Sequence, residues 1–223
     1  MATVQDLLRL LQEAPQFVQN LLAESRASVP WLAANPSAPL DHICLRVGSA
    51  DEYPLFKQSL ETLGAVLLTE HPVGGRPIAT YKLSEEHAIH VEDPLWPGDG
   101  GEFGNVPKVR SIRVLELPSP KPGRFYATGW EHVEVAVGGV ISGVDLVEVV
   151  RGAVAMGDAE RDAAALVCLN AFSGDALNAG VVYDVSAMSK GGFNIDLRFS
   201  GKGWAVKFHW IPLEKVIAIE TSE

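Results

Sequence analysis

Two strand-like segments, each carrying a histidine among aliphatic residues, constrain the fold of this chain more than any other feature. They read DHICLRV at residues 41–47 and WEHVEVAV at residues 130–137. Because alternate residues of a strand share a face, His42 and His132 lie opposite the aliphatic side chains of their strands. The aliphatic face can pack against a helix, which leaves the histidine face for polar chemistry.

Each of these strands opens the same order of predicted elements, namely a strand, a helix and three further strands. In the first copy, Ser49 is the predicted helix N-cap, and Glu52 stands at the spacing of a capping box. The other predicted elements are the strands AVLLTEH, PIATYKL and SIRVLELP, then the helix VDLVEVVRGAVA, the strand GVVYDV, the hairpin NIDLRFSGKGWAVKFHWI and a closing helix or strand LEKVIAIE. Residues 85–107 are predicted to form a loop or flap, and 152–190 a long insertion. A repeat at this scale indicates two copies of one module.

The first 40 residues differ from the rest because their apolar residues recur at the helical period. Pro15 separates two apolar groups there, and later prolines indicate a linker. We therefore predict an α+β protein with a helical cap and linker over residues 1–40 and one domain over 41–223. In that domain two tandem βαβββ modules, at about 41–120 and 129–223, are expected to form paired curled sheets around one cavity.

Composition narrows the class of protein. The chain has 223 residues, of which 47% are hydrophobic and 21% charged, as in globular proteins. Its net charge of -10 disfavours binding to nucleic acid, because phosphate backbones are repelled. Neither of the two cysteines belongs to a CxxC pair, and no apolar run is long enough to span a membrane. We expect a cytoplasmic protein with a small-molecule ligand and with no nucleic-acid or membrane partner, and leave its oligomeric state open.

The closing strands of the two modules add further polar residues to the candidate site. Glu116 lies in SIRVLELP and His209 in AVKFHWI. If the sheets curl toward each other, these two residues, His42 and His132 can point into one cavity. An unpaired buried carboxylate there would cost several kcal/mol, and a divalent cation removes that cost. Three imidazoles and a carboxylate suit zinc, iron, nickel or manganese.

The short motifs DHI, ELP, HVE and KFH follow one another at corresponding places in the two modules. In this order they resemble the vicinal oxygen chelate superfamily, which includes glyoxalase I, extradiol dioxygenases and methylmalonyl-CoA epimerase. Within it the chain is most similar to the YecM family, for which metal binding has been inferred. The similar stretches are DHICLR, GGRPIATYKL, VLELPSP, GWEHVEV and VKFHWIPLEKV, so the resemblance covers about residues 41–137 and 193–220.

The resemblance implies a metal centre and a type of chemistry. It implies that the metal is held by His42, Glu116, His132 and His209, and that a substrate binds through two neighbouring oxygens. The metal would then act as a Lewis acid on a developing anion, while Glu116 or Glu134 moves a proton. Isomerase, lyase and dioxygenase chemistries all remain open, because a fold does not determine a function.

Other polar residues are less specific candidates for a part in the site. Arg46, Arg76 and Lys82 could bind a substrate carboxylate or phosphate, or could form surface ion pairs. Cys44 shares the face of His42 and is expected to be a packing residue. The remaining histidines, which are His71, His87 and His90, are expected to be solvated, although His87 and His90 could instead approach the site through the predicted flap.

Three functional hypotheses follow from these residues. The first is a metal-dependent enzyme acting on a small oxygen-rich substrate. The second is a non-catalytic protein that binds a small molecule or a metal in the same cavity. The third is a structural domain in which hydrogen bonds satisfy the histidines. Metal binding separates the third hypothesis from the other two, and turnover separates the first from the second.

Overall fold

The fold is known from a computed structural model. It describes residues 3–97, 108–138, 140–141, 144–145, 182–184, 197–209 and 211–220. The chain forms two compact units. The first unit comprises Met1–Asn20 and Leu40–Val133, and the second comprises Leu21–Pro39 and Glu134–Glu223.

The chain begins with one long helix, α1 (Val4–Ser28), which continues through Pro15. The expectation that Pro15 separates two helical groups is therefore wrong. An interior proline costs a helix about 3 kcal/mol, but burying one large aliphatic side chain contributes about 1.5–3 kcal/mol. A buried stripe runs along α1 on both sides of the proline and consists of Leu7, Leu10, Ala14, Val18 and Leu21. Its burial outweighs the local cost. A five-residue helix, α2 (Pro30–Ala34), follows.

The first unit is built on a mixed sheet with one helix. Its elements are β1 (Leu40–Arg46), α3 (Glu52–Thr62), β2 (Val66–Val73), β3 (Arg76–Lys82), β4 (Ile89–Glu92), β5 (Val109–Ile112), β6 (Val114–Pro118) and β7 (Gly129–Ala136), and the last three residues of β7 belong to the second unit. The strand order of the sheet is β7-β1-β6-β3-β2, and β4 and β5 form a separate pair. β1 and β6 are parallel, whereas β6 with β3 and β3 with β2 are antiparallel.

The start and end of α3 follow the predicted signals. The Glu52 backbone N–H donates to Ser49 Oγ at 3.3 Å, and the Ser49 N–H donates to Glu52 Oε2 at 3.2 Å. These are the two bonds of a capping box, although the regular helix begins at Glu52. Gly64 follows the helix with a φ of 77°, a left-handed conformation that glycine adopts at little cost. Phe56 and Leu60 are buried, so α3 contributes to the apolar core of this unit.

Two strand predictions in this unit need correction. Residues 89–92, expected to lie in a flap, form β4, which pairs with β5. The expected strand SIRVLELP is divided between β5 and β6. Burial explains the hairpin, because Ile89 and Val91 alternate with exposed residues and are themselves buried. Residues 98–107 of the predicted flap lie outside the described residues.

The second unit contains β8 (Val140–Ile141), β9 (Val144–Asp145), β10 (Val182–Asp184), β11 (Leu197–Gly201), β12 (Trp204–His209) and the closing helix α4 (Leu213–Glu220). The predicted helix starting at Val144 is wrong for its first two residues, which form β9, and the rest lies outside the described residues. The predicted hairpin is confirmed as β11 and β12. A side chain at Gly201 would meet Trp204 Nε1 at 2.5 Å, which explains the glycine.

The strand order confirms the repeated module. In the first unit the order β1-β6-β3-β2 places the opening strand beside the closing one. In the second unit β7-β12-β11-β10 has the same arrangement, with β7 as the opening strand. The α+β class and the N-terminal helical segment are confirmed as well. The domain boundary at residue 40 stays a prediction. Within the described ranges, no helix combines the length and hydropathy needed to cross a membrane.

Candidate metal centre

The register of β1 and β6 decides which side chains share a face of the first unit. His42 stands beside Val114, and Cys44 beside Glu116. Residues adjacent in register point to the same side of a sheet, so His42, Cys44 and Glu116 share one face. The intervening residues of β1, Ile43 and Leu45, are fully buried on the opposite face. The strand alternation expected from the sequence is thus present.

Glu116 lies close to two histidines on this face. His132 Nε2 lies 3.8 Å from Glu116 Oε2. One ring nitrogen of His42 and one carboxylate oxygen of Glu116 lie within 4.8 Å of each other. The histidines are 2% and 3% exposed, whereas the Glu116 side chain is 18% exposed. Glu116 is therefore near each of the two predicted histidine ligands of the first unit, and the ligand role of all three residues stays a prediction.

Asp41 orients the ring of His42. Asp41 Oδ2 lies 2.8 Å from His42 Nδ1, and the two side chains are 9% and 2% exposed. An ionised carboxylate only accepts hydrogen bonds, so Nδ1–H donates to it and Nε2 keeps its lone pair. Such carboxylate–histidine pairs determine the tautomer and raise the basicity of metal-binding imidazoles. Asp41 was not among the site residues predicted from the sequence.

Glu131 precedes His132 as Asp41 precedes His42, and it too was not among the site residues predicted from the sequence. Its Oε1 lies 3.7 Å from His132 Nδ1, and its Oε2 accepts hydrogen bonds from Arg46 Nε at 2.7 Å and from Cys44 Sγ at 3.9 Å. Strict alternation would have placed Glu131 opposite His132. The sequence signal was nevertheless present, since an acidic residue directly precedes the histidine in both DH and EH.

The remaining predicted ligand and the second predicted base belong to the second unit. His209 ends β12 and is 3% exposed. Glu134 Oε1 accepts a hydrogen bond from Lys207 Nζ at 2.7 Å, and their side chains are 9% and 16% exposed. The metal-ligand role of His209 and the catalytic role of Glu134 stay predictions.

The predicted substrate-binding cations all lie on strands of the first unit. Arg46 forms an ion pair with Glu131, and its guanidinium carbon lies 4.2 Å from the centre of the Tyr126 ring. Arg76 Nη1 donates to the Ser119 carbonyl at 2.6 Å. Lys82 stands beside Val114 in the register of β3 and β6, and therefore on the Glu116 face. A ligand contact for these three side chains stays a prediction.

The donors of the first unit fit a divalent ion. Two imidazole nitrogens and a carboxylate oxygen are ligands that zinc, iron and manganese accept. Two ligands bound at about 2.1 Å and at a tetrahedral angle stand about 3.4 Å apart. The 3.8 Å between His132 Nε2 and Glu116 Oε2 is close to that spacing. This one pair is therefore compatible with a shared ion, and the binding of an ion stays a prediction.

Sequence comparison finds relatives along most of the chain. A family profile described as YecM protein matches residues 6–220. Protein YecM of Escherichia coli (strain K12) is 29% identical over 139 residues, which are 61% of this chain and 61% of that protein. An uncharacterized protein of Haemophilus influenzae (strain ATCC 51907 / DSM 11121 / KW20 / Rd) is 29% identical over 98 residues, or 44% of this chain and 41% of that one. The chain thus spans less than two thirds of the length of either relative.

Solved structures show the likeness in fold. The structure described as Structural Genomics, Protein EC4020 has a TM-score of 0.62 and 23% identity, and the match covers 99% of this chain and 97% of that one. A structure of methylmalonyl-CoA epimerase in complex with methylmalonyl-CoA and NH4+ has a TM-score of 0.39 and 14% identity, covering 79% and 96%. The first likeness shows that this chain has a fold similar to that of the EC4020 protein.

Proposed function

This chain belongs to the YecM protein family, and from the geometry of its first unit we propose that it binds a divalent metal ion and uses it on a small oxygen-rich substrate. The observation that carries the proposal is the 3.8 Å approach of His132 Nε2 to Glu116 Oε2. Family membership and the repeated strand order favour a metal-binding protein of the vicinal oxygen chelate type.

The proposed ligands have distinct supports. His42 would bind through Nε2, since Asp41 accepts the proton of Nδ1. Glu116 would bind through its carboxylate, and His132 through Nε2. Three protein ligands leave positions for substrate or water, as catalytic metal sites require. The sequence-based expectation adds His209 as a fourth ligand, which an ion with five or six positions accommodates.

The substrate proposed for this centre presents two neighbouring oxygens. The bound ion would supply Lewis-acid stabilisation of negative charge that develops on those oxygens. The buried histidines keep water from their side of the centre, which strengthens electrostatic interactions there. Glu116, whose side chain is 18% exposed, can accept a proton from a substrate placed beside it. Lys82, on the same face, offers a positive charge for an anionic group of the substrate.

A protein that binds its ligand without turnover is the second candidate. One contact in the second unit favours it, because the carboxylate of Glu134 is already held by Lys207 at 2.7 Å. A general base must be within hydrogen-bond reach of the proton that it removes, and a carboxylate committed to an ammonium group is a weaker base. A screen of small hydroxy, keto and thioester acids with the metal-loaded protein separates the two candidates by turnover.

The metal proposal is tested by calorimetric titration of the chelator-treated protein with Mn²⁺ and Zn²⁺. We expect His132→Ala and Glu116→Gln each to weaken Mn²⁺ binding by about 10-fold or more, because each removes one ligand. His90→Ala is the matched control, since His90 is an exposed histidine on β4 of the same unit. Unchanged Mn²⁺ affinity in both ligand variants would exclude this centre.

A further inference from the structure

A thiol, a carboxylate and an imidazole meet on the far side of the His132 ring from Glu116. Ligand atoms of Cys44, Glu131 and His132 all lie within 4.8 Å of one another in the first unit. The Cys44 residue is fully buried, and the Glu131 side chain is 10% exposed. His132 thus has a carboxylate near each ring nitrogen, with Glu131 3.7 Å from Nδ1 and Glu116 3.8 Å from Nε2.

We propose that Cys44, Glu131 and His132 Nδ1 form a second cation site, which takes thiophilic divalent ions such as Zn²⁺ and Cd²⁺. Around a tetrahedral zinc ion, a thiolate sulfur and a carboxylate oxygen stand about 3.6 Å apart, and an oxygen and a nitrogen about 3.4 Å apart. Here Cys44 Sγ lies 3.9 Å from Glu131 Oε2, and His132 Nδ1 lies 3.7 Å from the other carboxylate oxygen, Oε1, so Glu131 presents one oxygen to each of the other two ligands. The proposal goes beyond the metal centre described above, and the existence of this second site does not require that His42 and Glu116 bind an ion.

The chemistry of the donors sets the preference for soft ions. A thiolate selects zinc and other thiophilic metals over manganese or magnesium. Binding requires Cys44 to lose its proton to solvent, so the thiolate and the Glu131 carboxylate together balance the charge of a divalent ion. A three-ligand Cys, Glu and His set leaves one tetrahedral position for water.

In the structure, the positive charge beside Glu131 is supplied by the guanidinium of Arg46. Its guanidinium forms an ion pair with Glu131, and a carboxylate that is 10% exposed would be costly without such a partner. A bound ion must therefore compete with Arg46 for Glu131. The Arg46 side chain is 26% exposed and lies over the Tyr126 ring at 4.2 Å, so it can leave Glu131 and keep its cation–π contact.

The two centres share one imidazole, which makes them mutually exclusive. A neutral imidazole has one acceptor nitrogen, because the other nitrogen carries the proton. His132 can therefore bind through Nε2 beside Glu116 or through Nδ1 beside Glu131, but not through both at once. A thiophilic ion should weaken Mn²⁺ binding at the first centre.

The test is a Cd²⁺ titration of the full chain followed by near-ultraviolet absorption, which reports charge transfer from a thiolate to the metal. We expect a band that saturates near one equivalent, disappears in Cys44→Ser and persists in Cys168→Ser. These are the two cysteines of the sequence, so the second variant is a matched control. Arg46→Met should tighten Cd²⁺ binding by about 10-fold, because it removes the competing cation. No band in the wild type, or a band that persists in Cys44→Ser, overturns the proposal.

A parallel Mn²⁺ titration separates this proposal from the first one. Mn²⁺ binding without a thiolate band would overturn the thiophilic site alone. A thiolate band without Mn²⁺ binding would overturn the first centre alone. His42→Ala should lose Mn²⁺ affinity and keep the Cd²⁺ band, since His42 is not among the thiophilic ligands. Glu131→Gln should weaken the Cd²⁺ site by about 10-fold or more, and an unchanged Cd²⁺ affinity in that variant counts against the site.

Discussion

Replacing Asp41 by Asn tests whether the contact beside His42 supports metal binding. Asp41 Oδ2 lies 2.8 Å from His42 Nδ1, and both side chains are nearly buried. Asparagine has nearly the same shape and still accepts a hydrogen bond through its carbonyl, but it lacks the charge that raises the basicity of the ring. Losing such a supporting partner typically costs 10–100-fold in metal affinity, which is about 1.4–2.7 kcal/mol.

The assay is competitive Mn²⁺ binding by the chelator-treated protein, measured for the wild type, Asp41→Asn and His42→Ala. Asp41→Asn should lie between the other two, since it leaves the ligand in place but weakens it. Asp51→Asn is the control, because Asp51 is an exposed aspartate of the same unit. Circular dichroism melting without metal checks that the fold survives. If His42→Ala weakens binding and Asp41→Asn does not, the supporting role assigned to Asp41 is wrong.

Three further predictions concern pH and stability. Mn²⁺ affinity should fall steeply from about pH 7 to pH 5, because protons compete for the imidazoles, and calorimetry at several pH values that shows constant affinity would exclude histidine ligands. The hydrogen bond from Thr128 is the main reason that the pKa of Glu52 lies below its ordinary value of 4.5. The stabilisation from this carboxylate is therefore fully present above 4.5 and is lost as the pH falls through the lowered pKa, so Glu52→Gln should cost about 1 kcal/mol in urea unfolding at pH 7 and progressively less as the pH is lowered below 4.5. Asp93→Ala should cost about 3–5 kcal/mol, because it leaves the buried guanidinium of Arg110, now 2.7 Å from Asp93, without its carboxylate, and a loss under 1 kcal/mol would contradict that account.

Local sequence patterns determined much of the first unit. The alternation in DHICLRV places His42 and Cys44 opposite Ile43 and Leu45, and the structure has this arrangement. The capping box of Ser49 and Glu52 formed as expected. Patterns of this kind are reliable because the side-chain direction in a strand and the caps of a helix depend on neighbouring residues alone.

Two features of the fold depend on tertiary contacts, which local sequence patterns do not determine. Pro15 lies inside a helix because a buried apolar stripe continues past it, and that burial depends on distant partners. The hairpin of β4 and β5 likewise depends on a pairing between segments separated by residues 93–108.

The candidate site also depends partly on local sequence and partly on tertiary contacts. The sequence alone indicated the histidine of WEHVE and the carboxylate of ELP, but their 3.8 Å approach depends on strand order and register. Glu131 accepts hydrogen bonds from Arg46 and Cys44, although simple alternation would place its side chain on the other face of the strand. It does so because a nearly buried carboxylate needs a cation or a hydrogen-bond donor. The period of the sequence thus determined which residues carry the chemistry, and the tertiary pairing of strands determined which of them meet.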